Sequence, residues 1–306
     1  MSRVVVLVTA MLIDVALGDP PGKLHPVSWI GSAYATGKGR LLRLARPWRL
    51  VVAGAALTLA VAGLAAALGA LLEWLVRDAG AVGVVVEALA LKMTFSLRGL
   101  ARAGHEVRRA LDGEDLAGAR HTVGVHLVSR PVANLDAAGV ASAAIESVAE
   151  NLTDAVIAPL CFFLVLGLPG AVAYRAINTA DAMIGYRHGA LEHFGKIAAR
   201  LDDVLNLLPA RIAALALVAA VALAGHDVRG AVTTMWRDHS RTASPNAGWT
   251  MAAMAGGLGI VLEKGGAYRL GRGRLPGPAD IDSAVRIMVL GAAMVMIALI
   301  AVKSIL

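Results

Sequence analysis

An all-α, polytopic membrane helical bundle of about four to six spans, with short re-entrant or interfacial helices beside them, is the fold class this sequence predicts. Three observations lead there. Hydrophobic residues make up 58% of the 306 positions and the mean hydropathy is +0.68, more than a water-soluble core uses. Apolar runs long enough to cross about 30 Å of hydrocarbon recur along the chain. Trp, Lys and Arg gather at the ends of those runs, where lipid headgroups lie. A length spent on spans and their connections implies one embedded domain over residues 1–306.

Taken in order, residues 3–18 form a first helix of marginal span length. Asp14 interrupts its apolar run and no small-x-small cleavage site follows, so it is expected to be retained. The loop from Lys23 to Arg49 carries six Lys or Arg and no acid, which places it in the cytoplasm and the N-terminus outside. Residues 48–75 are the clearest span, framed by Trp48 and Trp74, with Gly63 and Ala67 spaced for close helix packing. Further spans are 207–225, where Arg211 can snorkel, and 284–303. Three shorter apolar pieces, 81–93, 155–167 and 251–262, suit re-entrant or bundle-buried helices. Pro159 and the break at LGLPGA (166–171) support this for the second piece. Residues 98–130 read as amphipathic helix with a turn at Asp112-Gly113.

A net charge of +7 invites a nucleic-acid reading, but the basic residues are scattered through loops that punctuate apolar runs, as in juxtamembrane anchoring. No nucleic-acid partner is expected. The single Cys161 lies within an apolar run, which excludes an internal disulfide and argues against a thiolate catalyst. Walker, dinucleotide and nucleophile-elbow motifs are absent.

The chemistry-bearing residues fall into three clusters. Glu146, Glu150 and Asp154 are spaced by four, so on a helix they form one acidic stripe that can converge on a single ion, with Asn151 beside it. Capping of an apolar helix by Asn151 or Asp154 accounts for one acid and not for three. In YRAINTADAMIGYR, Asn178 and Asp181 stand one turn apart among Arg175, Tyr186 and Arg187. In KIAARLDDVLNLLPARI, Asp202 and Asn206 repeat that spacing beside Arg200 and Asp203. Carboxylate plus amide at helical spacing suits Mg²⁺, which keeps waters and shares phosphate oxygens, and the arginines suit the phosphates. Two polar turns, GDPPGKLHPVSWIG and RTASPNAGWTMAAMAGG, offer His25, Ser244, Asn246 and Trp249, although well-made capped turns explain them better on their own.

The runs DVALGDPPGKLHPVSWIG, ESVAENLTDAVIAPL, YRAINTADAMIGYR, FGKIAARLDDVLNLLPARI and SPNAGWTMAAMAGGLGI, in this order over nearly the whole chain, resemble the CobD/CbiB family of cobalamin-biosynthesis proteins, the adenosylcobinamide-phosphate synthases. One departure stands at LVSRPVANLD, where Pro131 and Val132 replace an expected Asp-Thr pair. The resemblance implies a multipass protein of the cell inner membrane that joins adenosylcobyric acid to (R)-1-aminopropan-2-ol O-phosphate, or to aminopropanol, through an amide. It also implies ATP as co-substrate and Mg²⁺ as cofactor, and it allows a homo-oligomer and association with other corrinoid enzymes.

On that reading the metal ligands come from Glu146, Glu150, Asp154, Asp181, Asp202 and Asp203, with Glu146, Glu150 and Asp181 at the reaction and Glu150 or His25 as general base. Arg175, Arg187 and Arg200 hold phosphates, with Asn151, Asn178, Tyr186, Asn206, Ser244 and Asn246 as further substrate contacts. Trp29 and Trp249 are candidates to pack on the macrocycle. ATP is cytoplasmic, so the site is expected to face the cytoplasm. A transporter using intramembrane acids predicts two repeated halves, which the sequence lacks. A non-catalytic scaffold for pathway enzymes predicts that the acids are dispensable.

Overall fold

The computed structural model describes residues 2–44 and 46–305, apart from the side chains of Lys23, Ser304 and Ile305. Nearly all of it is helix: α1 (Arg3–Leu17), α2 (Pro26–Leu41), α3 (Pro47–Val76), α4 (Gly80–Lys92), α5 (Leu97–Asp112), α6 (Leu116–His126), α7 (Ala137–Leu152), α8 (Ala158–Leu166), α9 (Leu168–Ile184), α10 (Leu191–Phe194), α11 (Lys196–Leu205), α12 (Leu207–Leu223), α13 (Val228–Asp238), α14 (Ala247–Leu258) and α15 (Pro278–Ile305). Two three-residue strands, β1 (Leu262–Lys264) and β2 (Tyr268–Leu270), form an antiparallel hairpin. Among the described residues three helices are long and apolar enough to cross a membrane: Pro47–Val76, Ala137–Leu166 and Pro278–Lys303. The count becomes five when each of two bent pairs, α4 with α5 and α11 with α12, is taken as one span. Packing gathers the chain into two compact units. One comprises the chain up to Ser96 with Ala158–Asn206, the other Leu97–Ile157 with Leu207–Val302.

In the first unit α3 is the central element. Pro47 at its first turn costs no hydrogen bond, and the helix then runs for 30 residues. Its buried positions are Leu50, Gly54, Thr58, Ala62 and Gly69, a mostly small-residue stripe, while Val52, Leu59, Leu64, Leu68 and Leu71 are exposed, as a lipid-facing surface requires. The close approaches fall at Gly54 and Gly69, not at Gly63 and Ala67. A Cβ on Gly54 would lie 1.8 Å from the Phe194 carbonyl oxygen, and one on Gly69 2.8 Å from Val172, whereas Gly63 faces open space. Phe194 is fully buried with Tyr34, Leu50, Ala180, Ile184 and Ala198. The following Gly195 touches α9 so closely that a Cβ there would meet the Ile184 carbonyl oxygen at 1.8 Å. The FGK motif is thus a wedge whose shape sets how α10 and α11 lie on α3 and α9.

The break expected at LGLPGA is present. Gly167 takes φ of 75° between α8 and α9, a conformation open to glycine, and Pro169 occupies the first turn of α9. Arg3 donates to the carbonyl oxygens of Leu164 and Val165 (both 3.0 Å), supplying partners that the end of α8 lacks.

The second unit contains α5 to α7, α12 to α15 and the hairpin. The amphipathic pattern at 98–130 resolves into α5 and α6, with Leu97, Leu100, Ala103, Val107 and Leu111 buried. Asp115, Asp136 and Asp227 cap α6, α7 and α13 by accepting from backbone N–H groups at 2.7 to 2.8 Å. α13 and α14 meet glycine to glycine, since a Cβ on Gly256 would sit 2.1 Å from the Gly230 oxygen.

Four sequence expectations change. The basic stretch after Lys23 is mostly the helix α2 and not a loop. Residues 155–167 are no separate re-entrant piece, because α7 continues through a π-helical turn at Thr153–Ile157 into α8. That wider turn directly precedes Pro159, whose ring and missing N–H would strain an ordinary helix interior. The span foreseen at 207–225 is the 17-residue α12, which reaches span length only together with α11. The apolar piece at 251–262 ends as helix at Leu258, where Gly259 turns left-handed (φ 63°) and leads into the hairpin.

Candidate functional site

The second and third sequence clusters come together in the first unit. Asp202 is buried on α11, and its two oxygens accept from the Asn178 amide (3.1 Å) and the Asn206 amide (3.0 Å). Asn178 in turn accepts from Arg175 (3.2 Å), and Asn206 accepts from the Tyr174 hydroxyl (2.9 Å). The helical spacing of three and four residues is what places these groups on the facing sides of α9 and α11. Each amide is oriented by a donor on its oxygen, so the network holds Asp202 in one geometry.

Beside this network lies a polar pocket of about 220 Å³, built by the end of α9, α10 and the start of α11. Arg187, Lys196 and Arg200 bring three cations to its wall, and Glu192 and Asp203 bring two carboxylates. Tyr186 and His193 complete the polar lining. Arg200 and Asp203 approach to 3.9 Å. Asp181 stands on the last turn of α9, where its carbonyl oxygen accepts from the Gly185 N–H (2.7 Å). Of the residues chosen from sequence, Tyr186, Arg187, Arg200 and Asp203 line this pocket. Glu192, His193 and Lys196 were missed, because no spacing rule links them and only the Phe194-Gly195 wedge brings them to α9.

A second cavity of the same unit, about 500 Å³, is apolar and lined by α2, α3, α4 and α9, with Trp29, Leu64, Leu68 and Val172 in its wall. Arg175 is its one charged lining residue among those described. His25 caps α2, its Nδ1 accepting from the Val27 N–H at 3.2 Å. Next to it is an ionic centre that the sequence reading did not assemble. Lys92, fully buried, pairs with buried Asp14 at 2.8 Å and with Asp19, which also binds Ser96 and lies 3.7 Å from His25. Burial works to raise the Asp19 carboxyl, but hydrogen bonds from His25, Lys92 and Ser96 outweigh it and hold the group below the usual carboxylate range. The signal was available: one acid inside the apolar α1 and one lysine inside the apolar α4 each need an opposite charge.

In the second unit Glu146 is buried and satisfied from three sides, by Arg130 (3.2 Å), the Tyr268 hydroxyl (2.8 Å) and Ser142 (2.8 Å). Ser142 also accepts from the Glu263 N–H (3.0 Å), so this carboxylate anchors the hairpin to α7. Burial and then the charge of Glu146 push the Tyr268 phenol well above its ordinary value. Glu150 and Asp154 continue the same helix, the latter in the π turn. Asn151 donates to the Ser147 carbonyl oxygen (2.9 Å). Ser244 accepts from the Asn246 N–H (3.2 Å), and Asn246 accepts from Arg211 (2.5 Å). Trp249 stands between Arg211, 4.9 Å from its ring, and His239, at 4.1 Å between centroids. These three residues therefore build a hydrogen-bonded, aromatic-packed turn. Asp238 ties the other side of the hairpin, accepting from Arg237 (2.6 Å) and the Gly271 N–H (2.9 Å).

Among the described residues no group of three or more His, Cys, Asp or Glu side chains is gathered as a metal cage. Mg²⁺ does not need one, since it binds through one or two carboxylates together with substrate phosphates and water. Asp203 lies at the wall of the polar pocket near Arg200, and Glu146 and Asp202 accept hydrogen bonds from neighbouring donors.

Long apolar helices with lipid-type exposed faces, carrying buried polar centres, define a helical protein of membrane type. The CobD/Cbib protein family profile matches residues 7–288. A cobalamin biosynthesis protein CobD of Dehalococcoides mccartyi is 40% identical over 271 residues, covering 89% of this chain and 87% of that protein. One of Chromobacterium violaceum is 42% identical over 306 residues, covering 94% and 93%. The CobD protein of Klebsiella pneumoniae subsp. pneumoniae is 40% identical over 262 residues. The chain belongs to the CobD/Cbib family of cobalamin biosynthesis. No solved structure matches it.

Proposed function

We propose that this chain catalyses ATP-dependent formation of the amide between adenosylcobyric acid and (R)-1-aminopropan-2-ol O-phosphate, or aminopropanol, yielding adenosylcobinamide phosphate or its dephosphorylated counterpart. Family membership over nearly the whole chain supports the pathway. The observation that carries the chemistry is the juxtaposition, in the first unit, of the fixed Asp202 network with a pocket bearing three cations and two carboxylates.

Amide formation requires the corrinoid carboxylate oxygen to become a leaving group. ATP supplies this by phosphorylating the carboxylate with loss of ADP, or by adenylating it with loss of pyrophosphate. The amine then attacks the acyl carbon, the C–N bond forms, and phosphate or AMP departs with the loss of one proton from nitrogen. Arg187 and Arg200 hold phosphate oxygens, Asp181 and Asp203 are the carboxylates assigned to Mg²⁺ and to the departing proton, and Asp202 fixes the helix face that presents them. Mg²⁺, when bound, supplies charge neutralisation at the phosphates. ATP lies in the cytoplasm, so the pocket faces that side of the cell inner membrane.

The test is the purified full chain in detergent with adenosylcobyric acid, the aminopropanol phosphate and Mg·ATP. The corrinoid product is read by mass, and ADP against AMP by chromatography. A mass gain for the amide, lost in Asp181→Ala, is expected. A folded, monodisperse protein that leaves adenosylcobyric acid unchanged refutes the assignment.

A further inference from the structure

The small polar pocket at the end of α9 carries charge of both signs, and the amide-forming reaction gives roles there to Arg187, Arg200 and Asp203 but none to Lys196 or Glu192. Arg187, Lys196 and Arg200 face it together with Glu192 and Asp203. Three cations against two carboxylates leave an excess of one positive charge. A pocket for phosphate alone would gain nothing from the acids, which repel an anion. A phosphomonoester that also bears an ammonium group fits both sets, because its nearly two negative charges and one positive charge leave about one negative charge in excess. The volume points the same way. About 220 Å³ lies below the roughly 300 to 1,000 Å³ of pockets that enclose drug-sized ligands, so a nucleotide could place only its phosphates there. A short amino-alcohol phosphate enters whole.

We infer that this pocket is the subsite for the phosphorylated amine, with Lys196 selecting the phosphoryl group and Glu192 the ammonium. The inference rests on the amide-forming reading and names where its second substrate sits. Lys196 is exposed, is the first residue of α11, and is in no ion pair among the described residues, so its charge is open to a ligand. Arg200, by contrast, already approaches Asp203. Glu192 is likewise exposed, on the four-residue α10, and is in no ion pair among the described residues. The wedge at Phe194-Gly195 lies between the two, so one rigid joint fixes their separation. His193 adds an imidazole at the same wall.

Direct binding to the full chain in detergent is measured by titration calorimetry with four probes: aminopropanol O-phosphate, free aminopropanol, inorganic phosphate, and ATP with and without Mg²⁺. The ester is expected to bind most tightly of the three small probes and to be displaced by phosphate. Lys196→Gln raises its Kd about tenfold or more, the loss of one charge-assisted contact, and Lys196→Arg stays within about threefold of wild type. Glu192→Gln weakens the ester and free aminopropanol and leaves inorganic phosphate bound at least as tightly, because a carboxylate that repels it is gone. Because both side chains are exposed, unchanged unfolding midpoints show that the variants fold. Equal ester affinity in wild type and Lys196→Gln overturns the inference, as does ATP filling the pocket and excluding the ester. If the ester binds as described and no amide forms with adenosylcobyric acid, the reaction assignment fails while the subsite stands. If amide forms and both variants use the ester with wild-type KM, the subsite fails while the reaction stands.

Discussion

Replacing Gly54 by Ala sets two effects against each other within one helix. Alanine favours helix over glycine by about 0.5–1 kcal/mol, and that gain is available at both Gly54 and Gly63 of α3. At Gly63 nothing lies within 4 Å of the added methyl group, so Gly63→Ala should be neutral or slightly stabilising. At Gly54 the methyl carbon would lie 1.8 Å from the Phe194 oxygen and 2.8 Å from its carbonyl carbon. Ordinary contact begins near 3.4 Å, so backbone must retreat by more than 1 Å. Phe194 is itself locked in the buried cluster, and Gly195 presses on Ile184. Overpacking of this kind costs about 1–3 kcal/mol or more. Gly54→Ala should therefore fall about 2 kcal/mol or more below Gly63→Ala, read as unfolding midpoint and as half-life at fixed temperature in detergent. It should also weaken phosphate binding, since the wedge sets the pocket. Equal stability of the two variants would refute the view that Phe194 and α3 are in obligatory backbone contact.

Lys92→Met strands Asp14 and Asp19 without their cation and should cost about 3–5 kcal/mol, with partial recovery in Lys92→Met/Asp14→Asn; thermal midpoints of both variants check this. The Asp19 carboxyl is held below its unfolded value of about 3.9, so its contribution is complete above that pH and is lost as pH falls through the lower folded value. Unfolding midpoints should thus stay flat on this account from pH 7 to about 4 and drop below it, and Asp19→Asn should lower the plateau and flatten the drop; midpoints that rise as pH falls from 7 toward about 4, and no longer do so in Asp19→Asn, contradict the sign. Tyr268→Phe removes a hydrogen bond to a buried carboxylate, about 1.5–3 kcal/mol, and should show as faster amide exchange across β1 and β2, with α3 unaffected.

Helix existence was legible because apolar composition and small-residue spacing report it directly. The exact seams were not. Gly63 and Gly54 look alike in sequence, and only the position of Phe194 tells them apart. The acid-amide pair Asp202 and Asn206 at the end of α11 was readable from spacing, since a four-residue interval places groups on one face, whereas Asn178 of α9 reaches across to Asp202. Glu146 was read as a ligand for an ion, but its partners Arg130, Ser142 and Tyr268 come from three separate segments, and Tyr268 sits in a hairpin whose strands are too short to show alternation. Lys196 and Glu192 were passed over because ordinary charged residues on short helices carry no pattern.

The ionic centre at Lys92 bears on how the polypeptide enters the bilayer during synthesis. The α1 segment leaves the ribosome with Asp14 in the last turn of an apolar helix only 15 residues long, and its counter-ion is not made until the end of α4. Held alone in hydrocarbon, that carboxylate would disfavour insertion. The first segment is thus expected to linger at the insertion machinery until α4 emerges, and the two to partition into lipid as a pair.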